Sequence, residues 1–462
     1  MTTPHLTASR DHCLAPSRTV DAPIDRNGVH SYISLFPHLP RLVADESALW
    51  ALGGPNGACD ASLFADPEGG DDAVTVAAGW PFFGQFIAHD ITADRSVPVH
   101  EVDTDSLRNA RKPTVDLECL YGDGPTGNPY LYDRDDPAKF LLGQNDAGRS
   151  DDLPRNAQGV ALIGDPRNDV HLFVSQLHVA MLKLHNGLVD QARADGVFER
   201  DVFETARRSA RWHYQWIVLD DFLPRLIGPE RTETLLRDGP SLIDPSQGEG
   251  IPLEFADAAY RYGHSQIRHR YRPNATSAAV PLFPDLLGFA PVPAARAVEW
   301  ALLFDLPCQP PAQRAKKIDG RLARSLIELP LEITGEVEID AYHSLAVRDL
   351  QRGQGTGLPS GEAVSRELGF EPLSALESGL AASGWVGETP LWYYILKEAE
   401  LRERGERLGP VGGTIVGEVI VSLFDRDPDS YRMLDPDWRP TLPAEQPGAF
   451  GLADALIFST GS

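Results

Sequence analysis

Apolar residues recur at helical spacing along much of this chain, and strand-type alternation persists nowhere, so the pattern predicts a mainly α protein. The clearest segment is 80–94, where Phe82, Phe83, Phe86 and Ile87 surround Gln85, His89 and Asp90. On a helix Gln85 and His89, four apart, share one face, while Asp90 points about 100° away from His89. In 171–194, Leu177, Met181, Leu184 and Leu188 keep the same period, and a second long helix starting near Asp201 is expected to stop at Pro224. Further helices are expected over 292–304, 361–368 and 391–404. Residues 1–70 are rich in Pro, Gly and Asp without sustained periodicity, which predicts an irregular N-terminal arm wrapped over a core. Residues 111–165 read as loop, and no repeat or low-complexity linker divides the rest. The organisation expected is the arm, a single domain over 71–440, and a tail over 441–462.

Composition narrows the class. An apolar content of 42% is too high for a disordered chain and ordinary for a soluble globular one. The net charge of −25 would repel nucleic acid and anionic membrane on average, so neither is an expected partner. Cys13, Cys59, Cys119 and Cys308 form no CxxC pair, which speaks for reduced packing cysteines over a zinc site. The first residues open no apolar signal region, and the apolar stretch 411–424 is too short to span a bilayer and carries Glu418. The reading is a cytoplasmic protein with no membrane insertion, for which the sequon at Asn274 is a chance match.

Two motif-like patterns fail on physical grounds. Gly122, Gly124 and Gly127 satisfy GxGxxG, but no amphipathic helix follows to receive a pyrophosphate. His171, His178 and His185 are spaced by seven, a rise of about 10.5 Å, too far for neighbours to share one zinc. Phosphate-loop, HExxH and GxSxG signatures are absent.

Four segments carry the chemistry: 80–94, then Gly164-Asp-Pro-Arg-Asn-Asp169, then Tyr260-Arg-Tyr-Gly-His264, then Arg348-Asp-Leu-Gln-Arg352 with Gly357-Leu-Pro-Ser-Gly361 behind it. In this order they resemble the animal-type haem peroxidase superfamily (the myeloperoxidase and cyclooxygenase type), specifically its bacterial branch with non-covalently bound haem, from about Leu35 to about residue 440. The resemblance implies a haem-peroxidase domain and a role for each residue. His89 is the distal base, Arg167 the distal cation, and Gln85 a hydrogen-bonding partner of water or halide over the iron. His264 is the axial ligand and Arg261 contacts a propionate. The chemistry agrees, since splitting a peroxide at ferric haem needs a base to move a proton and a cation to stabilise developing negative charge.

Departures from the family pattern sharpen the expectation. Mammalian members esterify haem through an aspartate and a glutamate where this chain has Ala88 and Val170, and His171 replaces a methionine that one of them links to haem. The cofactor implied is therefore extractable haem b. Asp349 stands where an asparagine usually receives the proximal imidazole N–H, and a carboxylate there makes the ligand more electron-donating. The resemblance also implies a calcium site from Asp90, Thr114, Asp116 and Glu118, although Lys112 stands where a threonine ligand is usual and its ammonium would replace the ion. The expected function is hydrogen peroxide-dependent oxidation of a small phenolic or halide reductant through ferryl states, with chloride a poor substrate. The alternatives are a fatty-acid dioxygenase or cyclooxygenase-like enzyme, which needs a radical tyrosine where Arg261 stands, and a non-catalytic haem-binding protein. Neither reductant nor oligomeric state is legible.

Overall fold

The chain folds around helices whose apolar faces converge on one continuous hydrophobic cluster. The computed structural model describes residues 30–64, 70–93, 107–243, 250–334, 343–446 and 448–461. The helix Trp80–Ile91 starts with Pro81 in its first turn, where a missing N–H breaks no intrahelical bond. All of its residues are buried except Gln85 and Ala88, an early sign of which face meets a cavity. It packs on the helix Leu172–Ala194, which also carries Glu199–Trp216 and the C-terminal helix Leu452–Thr460. Helices Leu345–Gly355, Leu391–Arg402 and Pro410–Arg426 close the other side.

Several expectations are corrected. The helix expected to stop at Pro224 instead widens into a π-helical stretch, Ile217–Phe222, and resumes as Leu223–Ile227. Pro224 falls in the first turn of the resumed helix, so its missing N–H is tolerated, and Gly228 at φ 92° ends the run in a conformation that favours glycine. The helix expected over 292–304 is only two 3₁₀ turns, Ala294–Arg296 and Trp300–Leu302, because Pro291 and Pro293 withhold N–H groups there. Helices also form where none was expected: Glu46–Gly53 inside the arm expected to be irregular, Pro229–Asp238, Leu452–Thr460 inside the expected tail, Leu345–Gly355 and Pro410–Arg426. Pro410–Arg426 is apolar almost all round and buried on every side, while Leu345–Gly355 interrupts its apolar face with the buried Arg348, Asp349 and Arg352.

Strands are short. His30–Ile33 pairs antiparallel with Arg108–Asn109 and parallel with Ile251–Pro252, and Asp72–Ala77 pairs antiparallel with Arg314–Lys316. The described part of the expected arm is thus tied to the body, and the buried Glu254 accepts hydrogen bonds from Ser34 Oγ and from the backbone N–H groups of Leu35 and Phe36. Residues 1–29 of that arm lie outside the described residues.

His178, His185 and His213 are buried without a carboxylate partner, and burial pushes their pKa values down to about 3, 4 and 4. His185 donates from Nε2 to the Ala138 carbonyl at 2.8 Å and accepts the Tyr121 hydroxyl at Nδ1 at 3.0 Å, so it is neutral in the fold. Unfolding releases it to an ordinary value near 6.5, where it binds a proton the folded state refuses. Stability from this group is complete above about pH 6.5 and is lost as pH falls toward 4. Urea unfolding should therefore show His185→Gln gaining on the parent by about 1.4 kcal/mol per pH unit between pH 6.5 and 4.5; a constant gap would contradict a neutral buried imidazole.

Candidate active site

Three segments frame a cavity that opens to solvent: the helix Trp80–Ile91, the Val170–His171 step before the long helix, and the 3₁₀ stretch Ala259–Gln266. Gln85, Ala88, Val170, His171, Tyr260, Arg261 and His264 line it, and Phe255, Leu282, Phe283, Leu326, Leu329 and Ile333 supply an apolar wall. Gly263 borders the same space, and a Cβ there would meet nothing within 4 Å.

His264 is oriented from the helix Leu345–Gly355. Ser344 caps that helix by accepting the Val347 N–H and anchors it by donating to the Gly53 carbonyl at 2.6 Å. Asp349, fully buried, then takes the His264 Nδ1–H at 2.6 Å, which leaves Nε2 as the lone-pair nitrogen. The second Asp349 oxygen accepts Arg261 Nη1 at 3.1 Å. Arg261 also donates to Asp257 and to the Ala256 carbonyl, and Arg352 lies 3.5 Å from Asp257. The arginine that the resemblance assigns to a propionate is thus held by two carboxylates and fixes the proximal pair as much as it faces the cavity.

On the opposite side His89 is fully buried and is not among the cavity-lining side chains, but its neighbour Ala88 is. Its Nδ1 meets Asn168 Oδ1 at 2.8 Å, and Asn168 Nδ2 meets His178 Nδ1 at 3.0 Å. One amide between two imidazoles decides both tautomers: the oxygen takes a proton from His89 Nδ1, and the NH₂ requires a lone pair on His178 Nδ1. His89 therefore presents Nε2 as a base.

Arg167 Nη2 donates to the His89 carbonyl at 2.8 Å, and its guanidinium grips Asp165 through Nε at 2.9 Å and Nη2 at 2.7 Å. Arg111 holds the same carboxylate at 2.5 and 3.0 Å. Burial opposes the charge on Asp165, but Arg167 and Arg111 together keep its pKa well below the usual range. Arg111 also faces Glu118 at 3.9 Å, so two cations and two carboxylates share this cluster beside His89. Gln85 Oε1, one helical turn away, meets His171 Nε2 at 2.9 Å.

Of the residues expected to hold calcium, Asp116 lies near enough to both Asp90 and Glu118 to raise their pKa values, and each makes contacts of its own. Both Asp90 oxygens accept backbone N–H groups, from Leu117 at 3.0 Å and Cys119 at 3.3 Å, and burial, with Asp116 nearby, pushes the Asp90 pKa up to about 7. Thr114 donates its hydroxyl to Asp116, Lys112 Nζ lies 3.8 Å from Asp116, and Arg111 lies 3.9 Å from Glu118. Among the described residues no group of three His, Cys, Asp or Glu is placed to share an ion. Asp165, Asn168 and Asp257 join the site beyond the expected residues; the first two lie inside the Gly164 to Asp169 motif, and nothing in the sequence marks Asp257.

With this geometry in hand, the chain belongs to the animal haem peroxidase family, whose sequence model matches residues 127–379, more than half of its length. The match contains Arg167, His171, His264 and Asp349, while Gln85 and His89 precede it. Thyroid peroxidase of Homo sapiens is 29% identical over 306 residues, 60% of this chain and 31% of that protein. Chorion peroxidase of Aedes aegypti is 25% identical over 306 residues, 63% of this chain and 36% of its own. Heme peroxidase 2 of Caenorhabditis elegans is 33% identical over 117 residues, 23% of this chain and 16% of that protein, so the chain spans about a third or less of these relatives. Among solved structures, peroxidase A of Dictyostelium discoideum superposes with a TM-score of 0.66 at 17% identity, covering 93% of this chain and 92% of that one. A fatty acid alpha-dioxygenase of Oryza sativa gives 0.57 at 14% identity, covering 94% and 85%. These two likenesses show the fold alone, and the fold is the mainly helical animal-peroxidase one.

The Asp165 cluster predicts a sharp asymmetry in stability. Asp165→Asn strands two buried guanidinium groups without their shared counter-ion and should cost about 3–5 kcal/mol in chemical denaturation. Breaking the exposed Arg200–Asp201 pair should cost less than about 1 kcal/mol. Similar losses at both sites would contradict the buried hub.

Proposed function

We propose that this chain is a hydrogen peroxide-dependent haem peroxidase that holds haem b without covalent links, of the branch lacking ester-forming residues, and oxidises small phenolic or halide reductants. The haem-holding unit is 71–440, with 1–70 as the arm. The observation that carries this reading is that one cavity joins His264, its Nδ1 proton engaged, to the face of the Gln85–His89 helix, where an amide fixes His89 as a base. The residues fit a haem. The cavity is mostly apolar, Ala88 and Val170 line it where an ester would need carboxylates, and His264 at its wall keeps Nε2 for an iron.

Haem, when bound, would supply redox-active iron. The side chains do the rest. His264 would hold the iron through Nε2, while Asp349 takes the charge that builds on the imidazole N–H. His89 Nε2 receives the proton of the incoming peroxide and returns it to the departing oxygen, and Asn168 keeps Nδ1 protonated so that only Nε2 takes part. Arg167, paired with Asp165 and donating to the His89 carbonyl, holds the backbone of the helix turn that carries the base. The dioxygenase reading is not supported by the residue it needs: Arg261, three before His264, is locked in ion pairs and cannot serve as a radical tyrosine.

Three measurements test this reading. Hemin added to purified protein should give a Soret band that His264→Ala loses, and stopped-flow mixing with peroxide should be slowed about 10²–10⁴-fold by His89→Ala. Asn168→Leu should slow it about 10–100-fold through the wrong tautomer. Unchanged peroxide rates in His89→Ala would remove the base from the mechanism. Asp349→Asn should raise the haem reduction potential, measured by spectroelectrochemistry, because a neutral amide withdraws less of the imidazole proton than a carboxylate does; an unchanged or lower potential would refute the carboxylate's role.

A further inference from the structure

His171 is a second imidazole at the cavity wall, and neither the base nor the axial ligand accounts for it. It caps the helix Leu172–Ala194 with an extended backbone and forms an isolated bridge with Leu287. The bridge requires Gly288, where a Cβ would come within 1.9 Å of the Asp169 carbonyl. The ring stands edge-on to Phe82 at 5.0 Å, and the residue is 4% exposed. It cannot swing away without breaking that packing.

Its Nε2 lies 2.9 Å from Gln85 Oε1. Gln85 is partly exposed on an otherwise buried helix, lines the cavity, and makes no other hydrogen bond among the described residues. An amide presents opposite polarity at its two ends, so whichever end His171 engages decides what the cavity meets. With Oε1 accepting the imidazole N–H, the NH₂ group remains for a ligand. The reverse orientation would aim a carbonyl oxygen at the cavity and oppose an anion.

We infer that His171 is the positioning residue of Gln85: it pins the amide oxygen and thereby makes the distal wall of the cavity a hydrogen-bond donor to anionic or lone-pair-bearing ligands such as a halide or hydroperoxide. This rests on the haem-peroxidase reading, and the two can fail separately.

Fluoride is the probe, titrated by absorption into the hemin-loaded ferric protein. Gln85→Leu and His171→Leu should each weaken fluoride binding about tenfold, and the double variant should be no weaker than either single one, because both remove the same donor. His171→Gln, whose amide N–H reaches near the position of Nε2–H, should recover most of the affinity. If His171→Leu does not fold, His171→Asn, too short to reach Gln85, takes its place. Additive losses of about a hundredfold, unchanged affinity in His171→Leu, or tighter fluoride binding on its removal would each overturn the assignment. Parent protein that takes up no hemin would overturn both readings, and the missing Soret band distinguishes that case.

Discussion

Burying a carboxylate inside an apolar core is tolerable only where hydrogen-bond donors or cations meet it, and on each side of its cavity this structure meets one with cations. Asp349 is shared by His264 and Arg261; Asp165 is shared by Arg111 and Arg167. Each carboxylate draws together elements distant in the chain. Asp349 ties the helix Leu345–Gly355 to the 3₁₀ stretch Ala259–Gln266, and Asp165 ties the loop at Arg111 to the step before the long helix. The cavity is the space these hubs hold open, so removing either anion would disturb its walls as well as its charge.

Neutral groups complete the arrangement. Asn168 sits between His89 and His178, and burial pushes the His178 pKa down to about 3, so that histidine stays neutral and can accept from the amide. One glutamine and one histidine stand in a similar relation at Gln85 and His171. In both pairs an imidazole and an amide resolve an ambiguity that neither settles alone. A proton-moving site needs such resolution, because a histidine in the wrong tautomer has the right shape and no basic nitrogen where one is required.

The loop at Lys112 shows how far a motif can be carried. Asp90, Asp116 and Glu118 stand in register with a cation site, yet Asp90 accepts the Leu117 and Cys119 N–H groups and Asp116 the Thr114 hydroxyl, with Lys112 and Arg111 at 3.8 and 3.9 Å from Asp116 and Glu118. Ligand identity is a property of sequence; convergence on one point is a property of the fold.

The segments bearing Gln85, His89, Arg167 and His264 were legible because each is a short run whose residue types and order serve one chemistry, and the helices Trp80–Ile91 and Leu172–Ala194 were legible because one face is apolar. Helix Pro410–Arg426 was not, since burial on all sides erases the period, and neither was the π-helical passage through Pro224, which depends on tertiary packing. Sequence alone determined which polar groups this protein must bury. Only the tertiary structure decided their partners, Asp165 for Arg167, Asn168 for His89 and His171 for Gln85, because a hydrogen bond depends on distance and direction, and residues up to 86 positions apart acquire those only when the core is packed.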